Sequence, residues 1–417
     1  MRKTDEHGVS YSVVPFGASR QLFLVAEPKE NYLCSGDDTQ GHGQTVSDWQ
    51  RQTRSLLESC QTVLRRENFD KNTVMMGQFF LADIGKKELV RQVFSEFFPE
   101  NSCVTTFIPQ SPVSGAAINL ELWAIAGCIS SESLQSGSAI TAEFDDLRWF
   151  FAGDVRPDYQ PVGVYARSLN AFQHLGNQLQ QNGFQIGQVV RTWIYQGHLL
   201  LTEGKTQRYK ELNRARTDFF NGVQFIKDYL PPGYCGDVYP ASTGIGADDV
   251  DVVIGAVAVS TRRKDFVTVP LENPNQTSAF DYGTVYSPKS PKFSRAMALA
   301  VDRSCFIFVS GTASITESES RFPEDPEKQT EQTLDNIAAL IDGSNLEKHG
   351  ISGFSSGLNG LKIVRVYVKR PDEWAAIKSV CNKRLGNIPI LYTIADVCRP
   401  ELLVEIEGFA VVNRSTN

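Results

Sequence analysis

Hydrophobic and polar positions along this chain of 417 residues follow the same order of elements three times. Each third reads as a strand, a helix, a strand, a helix, a turn that contains proline and a last strand. In the last third the elements are CFIFVSG, KQTEQTLDNIAALI, LKIVRVYVKR, DEWAAIKSVCNKRL and, after the turn Asn387-Ile-Pro, LLVEIEGFAVV. The stretch SNLEKHGISGFSSGLNG, near residues 344–360, interrupts this third and predicts a loop insertion.

The repeat predicts three units, at residues 1–140, 141–270 and 271–417, of which the first is the most divergent. Linker-like segments separate them, SSESLQSGS after Cys128 and ENPNQTSAFDYGTVYSPKSPK near 272–292. So few strands in each unit favour a mixed sheet with helices on one face, which is an α+β fold. Three such units can pack around a pseudo-threefold axis as an intramolecular pseudo-trimer. We therefore expect a monomer or a weak dimer, because one chain supplies all three partners.

Composition and charge narrow the possible partners. A net charge of −7 and a pI near 5.4 argue against a nucleic acid or an anionic membrane surface. The N-terminal residues lack the apolar core of a signal peptide and no run reaches transmembrane length, so a cytoplasmic protein is expected. The eight cysteines form no C-x-x-C pair and the five histidines have no metal-ligand spacing. Neither a disulfide framework nor a metal is predicted.

The last strand carries the first candidate for chemistry. Glu405 and Glu407 are two residues apart, so on a strand both carboxyl groups point to the same face. If that face is buried in a pocket, the pKa of a carboxyl group rises and the group becomes a usable acid. If the face is solvated, the two residues are an ordinary surface pair. The pattern alone leaves both interpretations open.

Several motifs together resemble known families. In the third unit, FIFVSGTAS, QTEQTLDNIAALI and VEIEGFA resemble the RidA/YjgF family, with its chorismate-mutase-like fold, whose small subunits form trimers with ligand pockets between neighbours. Over residues 146–417 a closer resemblance is to the chorismatases, which hydrolyse chorismate to pyruvate and a cyclohexadiene or hydroxybenzoate product on a RidA-like fold. The motifs for this second resemblance are VYARSLNAF, VVRTWIY, RYKELNRARTDFF, YPASTGIG, SPKFSRA, VSGTASI and CRPELLVEIE.

The chorismatase resemblance implies a hydrolase without a cofactor that acts on a small dicarboxylate. Glu405 would be the catalytic acid and would protonate the substrate near its enol ether, while arginines bind the two carboxylates. Asymmetry among the units supports this role. The equivalent position holds Val253 in the second unit and has Glu121 nearby in the first, so a single pocket is expected to keep the chemistry.

The substrate-binding candidates lie in the second and third units. Tyr209 and Arg216 share a face of the helix 208–220 and would donate a hydrogen bond and grip a carboxylate, although an interdomain salt-bridge face gives the same pattern. Ala241 and Ser242 begin ASTGIG, which is either a pocket wall where backbone N–H groups meet an anion or a tight turn. Arg295, in KFSRA, could neutralise a second carboxylate or lie on the surface.

Arg191 and Arg365 occupy comparable strand positions, where one of them could be a buried structural ion-pair partner.

Two departures from the families leave alternatives open. Simple RidA deaminases carry an arginine shortly after the proline of the turn, to hold the carboxylate of an imino acid. None of the three units has it, since the residues after that proline are Gln110-Ser111, Ala241-Ser242 and Ile390-Leu391. A RidA-like imine or enamine deaminase is therefore the weaker enzyme hypothesis, and a non-catalytic small-carboxylate binding protein is a third.

The second departure is Thr316-Glu317-Ser318, where chorismatases tend to have a Gly-His pair. This leaves the product undecided.

Overall fold

The computed structural model describes residues 2–4, 8–28, 48–98, 102–127, 129–131, 138–249, 251–283, 289–354 and 356–414. These residues form three six-stranded sheets, two short hairpins and helices that pack against the sheets. Each large sheet is mixed, so the predicted α+β class is confirmed. No helix in the described ranges is long and apolar enough to span a bilayer.

The first sheet lies within residues 2–126 and has the order β1-β2-β3-β6-β4-β5, in which only β4 and β5 run parallel. Its elements are β1 (Arg2–Thr4), β2 (Val9–Phe16), β3 (Ser19–Ala26), α1 (Asp48–Arg66), β4 (Val74–Leu81), α2 (Lys87–Phe97), β5 (Val104–Ile108) and β6 (Ile118–Ala126).

The second sheet repeats this order as β7-β8-β9-β14-β10-β13, again with one parallel pair, β10 and β13. Its elements, with a small hairpin β11–β12, are β7 (Ile129–Ser131), β8 (Ala139–Phe144), β9 (Leu147–Val155), α3 (Val164–Gln181), β10 (Val189–Gly197), β11 (Thr202–Glu203), β12 (Thr206–Gln207), α4 (Arg208–Phe219), β13 (Ala241–Ala247) and β14 (Val252–Thr261).

The third sheet has the order β15-β16-β17-β22-β20-β21, with β20 and β21 parallel. Its elements are β15 (Val267–Leu271), β16 (Ala296–Val301), β17 (Ser304–Ala313), β18 (Ile315–Thr316), β19 (Glu319–Ser320), α5 (Pro326–Leu340), α6 (Gly343–Lys348), β20 (Leu361–Val368), α7 (Trp374–Leu385), β21 (Ile390–Ile394) and β22 (Val404–Asn413). The predicted loop insertion at 344–360 is therefore partly helical, because Asp342 caps α6 by accepting the Ser344 N–H.

Each sheet has more strands than the sequence pattern predicts. The pattern misses the hairpin strands before the first strand of each unit and the short strand that pairs in parallel. Strand β16, Ala296–Val301, is made of residues that favour a helix as readily as a strand. Pairing with β15 and β17 on its two sides determines its conformation.

The predicted unit limits at 140 and 270 fall inside strands β8 and β15. The chain changes sheets earlier, between Ala126 and Ile129 and between Thr261 and Val267. Serine-rich composition does not say whether a segment stands between two sheets or between two strands of one sheet, and in sequence this one stands between β7 and β8. Residues 132–137 and 284–288 of the predicted linkers lie outside the described residues.

The proline turns of the three units are not equivalent. Pro240 and Pro389 precede the parallel strands β13 and β21, whereas Pro109 follows β5. The comparison of Gln110 and Ser111 with the residues after the other prolines was therefore wrong. The corresponding positions of the first unit lie at the start of β5, whose sequence VTTFI also has no arginine.

The inner faces of the three sheets pack on one another, and helices cover the outer faces. Aromatic rings from all three sheets meet in this central core: Trp123 lies 5.2 Å from Phe151 and 5.5 Å from Phe306, and Phe23 lies 5.5 Å from Phe409, centroid to centroid. Helices α1 and α2 complete an outer core with the first sheet, and α5 and α7 do so with the third. Helix α3 contacts β9 and β14 of the second.

The C-terminal ends of β5, β13 and β21 lie close together. Backbone hydrogen bonds join the three units there: Asp248 N–H to Pro109 O (2.7 Å), Gly246 N–H to Asp396 O (2.9 Å) and Ile394 N–H to Ser111 O (2.8 Å). Each unit thus contacts both others through the same part of its sheet.

Candidate active site

A cavity of about 440 Å³ lies between the second and third units. The second unit contributes α4 and β13, and the third contributes β17, β22 and the loop before β22. The residues that line it include Tyr209, Lys210, Ser242, Gly244, Tyr282, Phe293, Arg295, Gly311, Ile315, Cys398, Arg399, Glu401 and Glu405. This position, at a junction between two units, is typical of small-molecule sites.

Glu405 lies on β22 at the inner end of the cavity and is only 5% exposed. The solvated-pair interpretation of Glu405 and Glu407 is therefore wrong. Burial, reinforced by the charge of Glu407, raises the pKa of Glu405 to about 8, against the opposing charges of Arg191 and Arg295. At neutral pH the Glu405 side chain is a carboxylic acid that can donate a proton into the cavity.

Gly311 on β17 gives Glu405 the space it occupies. A Cβ atom at position 311 would lie 2.0 Å from Oε1 of Glu405, so no larger residue fits while Glu405 keeps its place. The backbone N–H of Gly311 donates to Oγ1 of Thr243 (3.0 Å) across the junction of the two units. Glycine is needed here for close approach.

Glu407 is buried on the same strand face but forms ion pairs with two arginines, Arg191 and Arg365. It is 3% exposed and accepts hydrogen bonds from Arg191, Arg365, Tyr367 and Thr243. Burial alone would raise the pKa of Glu407, but Arg365 and Arg191 hold it below its ordinary value. The two glutamates of one strand face therefore differ in charge: Glu407 is an anion and Glu405 a neutral acid.

Three further predicted residues line the cavity. Tyr209, near the start of α4, faces Gly244, where an added Cβ would lie 3.3 Å from the tyrosine ring. Ser242, on β13, accepts from Thr192 (2.8 Å). Arg295 donates to Thr277 O (2.8 Å) and to the hydroxyl of Tyr282 (2.6 Å), so part of its guanidinium is held by the third unit.

Arg216 and Ala241 lie behind the cavity wall. Arg216 is 2% exposed and donates to Asn213 (2.6 Å) and Ser242 (3.3 Å), with its guanidinium 5.3 Å from the Phe293 ring centroid. Ala241 is buried at the start of β13 in a bridge to Ser294. Arg216 does not form the alternative interdomain salt bridge through its hydrogen bonds to Asn213 and Ser242, since both of these residues are uncharged.

Lys210, Cys398, Arg399 and Glu401 line the cavity but were not predicted from the sequence. Cys398, Arg399 and Glu401 come from the loop that leads into β22, and Lys210 follows Tyr209 on α4. Their letters stand within the motifs CRPELLVEIE and RYKELNRARTDFF, but nothing in the spacing showed which of those residues would face a ligand. Burial raises the pKa of the Cys398 thiol to about 12, with Glu405 adding to the effect.

The departure at Thr316-Glu317-Ser318 lies at the tip of the hairpin β18–β19. Ile315, at the base of this hairpin, lines the cavity, and Glu317 has a positive φ of 55°. Glu317 exchanges backbone hydrogen bonds with Asn275 (2.8 Å) and Thr277 (3.0 Å). The altered residues therefore adjoin the cavity wall through the same segment that holds Arg295.

Among the described residues, no group of three or more His, Cys, Asp or Glu could hold a metal ion.

Comparison with known proteins agrees with this architecture. Residues 288–412 match the family model described as Endoribonuclease L-PSP. A crystal structure of a chorismatase superposes with a TM-score of 0.64 and 21% identity, over 81% of this chain and 93% of that one, which shows the shared fold. The fold is therefore mixed α+β, with a RidA/YjgF-like domain in its last third.

Sequence relatives are more specific. A 3-hydroxybenzoate synthase of Streptomyces hygroscopicus is 32% identical over 276 residues, 64% of this chain and 75% of that protein. A chorismatase of the same species is 35% identical over 172 residues, 40% of this chain and 48% of its own length. A chorismatase of Streptomyces rapamycinicus is 34% identical over 175 residues, which is 50% of that protein. This chain belongs to the chorismatase family.

Proposed function

We propose that this chain is a chorismatase-type hydrolase, which cleaves the enolpyruvyl ether of chorismate and releases pyruvate with a cyclohexadiene-carboxylate or hydroxybenzoate. The observation that carries the proposal is the neutral acid Glu405, buried at the inner end of a cavity that also exposes cationic side chains. Relatives named chorismatase and 3-hydroxybenzoate synthase support the choice of substrate.

The proposed first step is general acid catalysis. Glu405 gives its proton to the terminal methylene of the enol ether, and the positive charge that forms is shared by the ether oxygen and the adjacent carbon. For the hydrolytic outcome, water adds to that carbon and gives its proton back to Glu405. The bond between this carbon and the ether oxygen then breaks while the proton of the newly added hydroxyl group passes to the ether oxygen, so pyruvate leaves and the ring keeps a hydroxyl group. An acid that is protonated at neutral pH suits this order of events.

Charges on the cavity wall match a dicarboxylate. Lys210, Arg295 and Arg399 bring three positive charges, while Glu401 brings one negative charge and Glu405 is neutral. We assign carboxylate binding to these cations, with Arg295 as the deepest. Tyr209 and Ser242 supply hydroxyl groups from the second unit.

The roles of Arg216 and Ala241 are indirect in this proposal. Arg216 holds Ser242 from behind, and Ala241 supplies only the backbone of β13. We do not assign Arg216 a direct contact with a substrate carboxylate, because its guanidinium donates to Asn213 and Ser242 and Arg216 does not line the cavity.

We also propose that the chain is three RidA-like units packed as an intramolecular pseudo-trimer. The identical strand order of the three sheets, their shared aromatic core and the backbone bonds at the strand ends support this division. A monomer or weak dimer follows, and light scattering should give a mass near 46.3 kDa at micromolar concentration. A stable mass three times larger would contradict it. A cytoplasmic location, the lack of a cofactor and the lack of nucleic-acid or membrane partners stay predictions.

The test of the function is the purified protein with chorismate and lactate dehydrogenase. We expect NADH oxidation from released pyruvate, together with a ring product that chromatography identifies as dihydroxycyclohexadiene-carboxylate or hydroxybenzoate. No pyruvate between pH 5 and 9 would overturn the proposal. Faster decay of 2-aminoacrylate with chorismate untouched would instead favour the imine deaminase.

A further inference from the structure

A cluster of four buried charges lies directly behind Glu405. Arg365 contacts Glu407 (2.6 Å) and also Glu121, with 2.9 Å from one terminal nitrogen and 3.3 Å from Nε. Arg191 completes the cluster through its own ion pair with Glu407. The side chains are at most 9% exposed, so water contributes little to balancing these charges.

The four residues come from all three sheets. Glu121 lies on β6, Arg191 on β10, and Arg365 and Glu407 lie on β20 and β22. Burial raises the pKa of Glu121, and the neighbouring Arg365 guanidinium opposes this shift; with Glu121 ionised, two guanidinium groups and two carboxylates balance in charge. An ionised Glu405 would add a negative charge beside Glu407 that nothing in this cluster offsets.

A second connection to Glu405 is mechanical. Oγ1 of Thr243 donates to Glu407, accepts from Arg191 (2.6 Å) and accepts the backbone N–H of Gly311 (3.0 Å). Gly311 is the residue against which Oε1 of Glu405 lies. The cluster therefore holds both the anion next to Glu405 and the backbone that Glu405 touches.

Other groups face Glu405 from the cavity side. Arg295 comes from the segment before β16, Tyr209 from α4, and Cys398, Arg399 and Glu401 from the loop before β22. Burial raises the pKa of both Tyr209 and Cys398, so these two are neutral at pH 7. Apart from Glu407 and Arg191, the charges around Glu405 are thus those of the substrate-binding wall.

We infer that Glu407 helps to keep Glu405 in its acid form and is a positioning residue that acts through a fixed negative charge, which its ion pairs with Arg365 and Arg191 hold in place. The inference rests on the proposed function for its catalytic meaning. Burial is the largest cause of the raised pKa of Glu405; the charge of Glu407 raises this pKa further, and the charges of Arg191 and Arg295 lower it.

The test compares two variants with opposite expected effects. In the pH profile of kcat/KM for pyruvate release, the wild type should lose activity above a pKa of about 8, where Glu405 ionises. Glu407→Gln should move this limb to lower pH, and Arg191→Gln should move it to higher pH. A loss of packing alone would not move the two limbs in opposite directions.

Tyr367→Phe is the matched control, because it removes a hydrogen bond to Glu407 and leaves every charge in place. Its limb should stay where the wild-type limb is. A limb that is unmoved in both charge variants, or that moves the same way in both, would overturn the inference. If one variant does not fold, the direction of shift in the other decides.

A readout without catalysis separates this inference from the proposed function. The carbonyl stretch of the protonated Glu405 carboxyl, assigned by its loss in Glu405→Gln, can be titrated by infrared difference spectroscopy. The same opposite shifts are expected there even if the protein does not consume chorismate. Absence of pyruvate with the infrared shifts present would sink the proposed function alone.

Discussion

The last strands of the three units place different residues at one equivalent position. Strand pairing sets Asn119 opposite Phe80, Val253 opposite Tyr195 and Glu405 opposite Tyr367. The amide of Asn119 donates to Glu27 (3.1 Å) and to the carbonyl of Tyr392 (3.4 Å), which closes its junction with polar contacts.

Val253 is 1% exposed and belongs to the central apolar core. Of Asn119, Val253 and Glu405, only Glu405 has a carboxyl group and lines the cavity. The same strand order in three sheets therefore does not by itself make a site, because the chemistry needs both a buried acid and space beside it.

The next position along the same face shows a different relation. Glu121 lies opposite Gln78, Gly255 opposite Trp193 and Glu407 opposite Arg365. Glu121 is thus the counterpart of Glu407 and not of Glu405. The first unit keeps a structural carboxylate for the shared charge cluster and has an amide where the third unit has its acid.

The largest effect on activity is expected from removal of the acid at position 405. Glu405→Gln should reduce kcat for pyruvate release by about 10² to 10⁴-fold, the usual range for loss of a general acid. Coupled lactate dehydrogenase assays measure it. Circular dichroism of the variant should match the wild type, and a kcat within about twofold of the wild type would remove Glu405 from the mechanism.

Breaking the charge cluster should affect folding of all three units together. Arg365→Met removes the ion-pair partner of the buried Glu121 and one of the two guanidinium partners of Glu407, and it should lower the free energy of unfolding by about 3–5 kcal/mol, measured in urea. Arg51→Met, which breaks an exposed pair with Asp48, is the control and should cost less than about 1 kcal/mol. Equal costs would mean that the cluster carries little structural weight.

The acid also has a pH-dependent cost for stability. In the unfolded chain Glu405 ionises near an ordinary pKa of about 4.3, and in the folded chain near about 8. Between these values unfolding releases a proton, so wild-type stability falls as pH rises, by about 1.4 kcal/mol for each unit of pKa difference. Glu405→Gln lacks this penalty. Its stability relative to wild type should therefore increase from pH 5 to pH 8, and a constant difference in urea midpoints would contradict the raised pKa.

Gly311→Ala tests how closely the acid is positioned. The new Cβ displaces Oε1 of Glu405, and misplacement of about 1 Å can cost up to about 100-fold in kcat. Gly357→Ala is the matched control, because its Cβ would meet only Oδ1 of Asn359 at 3.7 Å. If both variants keep wild-type kcat, the contact between Gly311 and Glu405 does not matter for the reaction.

The smallest effect is expected when the carboxyl group is moved from position 405 to the equivalent position 119. Asn119→Glu in the Glu405→Gln background moves the carboxyl group to the equivalent junction, where Glu27 and Tyr392 take up the space. We expect no recovery of pyruvate release. Recovery would show that the three junctions are interchangeable and that the cavity is not the limiting feature.

Local patterns predict most of the fold but only part of the site. Amphipathic helices such as Asp48–Arg66 and the alternating strand Val404–Asn413 can be read from their own residues. Strand β16 cannot, because its neighbours determine its conformation. Exact unit limits do not follow from composition for a related reason, since a serine-rich segment has the same composition within a sheet as between sheets.

For the site, the shared face of Glu405 and Glu407 follows from strand geometry alone. Their opposite charge states do not, because the four donors to Glu407 come from β10, β13 and β20, far apart in sequence. Arg216 illustrates the converse: it is on the same helix as Tyr209, yet it packs against Phe293 and Ser242, which line the cavity while Arg216 does not.

Ligand stoichiometry tests the central claim, that one junction of three carries the site. Glu405→Gln should bind chorismate without consuming it, and isothermal titration calorimetry should give one ligand per chain. Lys210→Ala or Arg399→Ala in the same background should weaken that single binding event. Three ligands per chain, or no binding at all, would contradict the account.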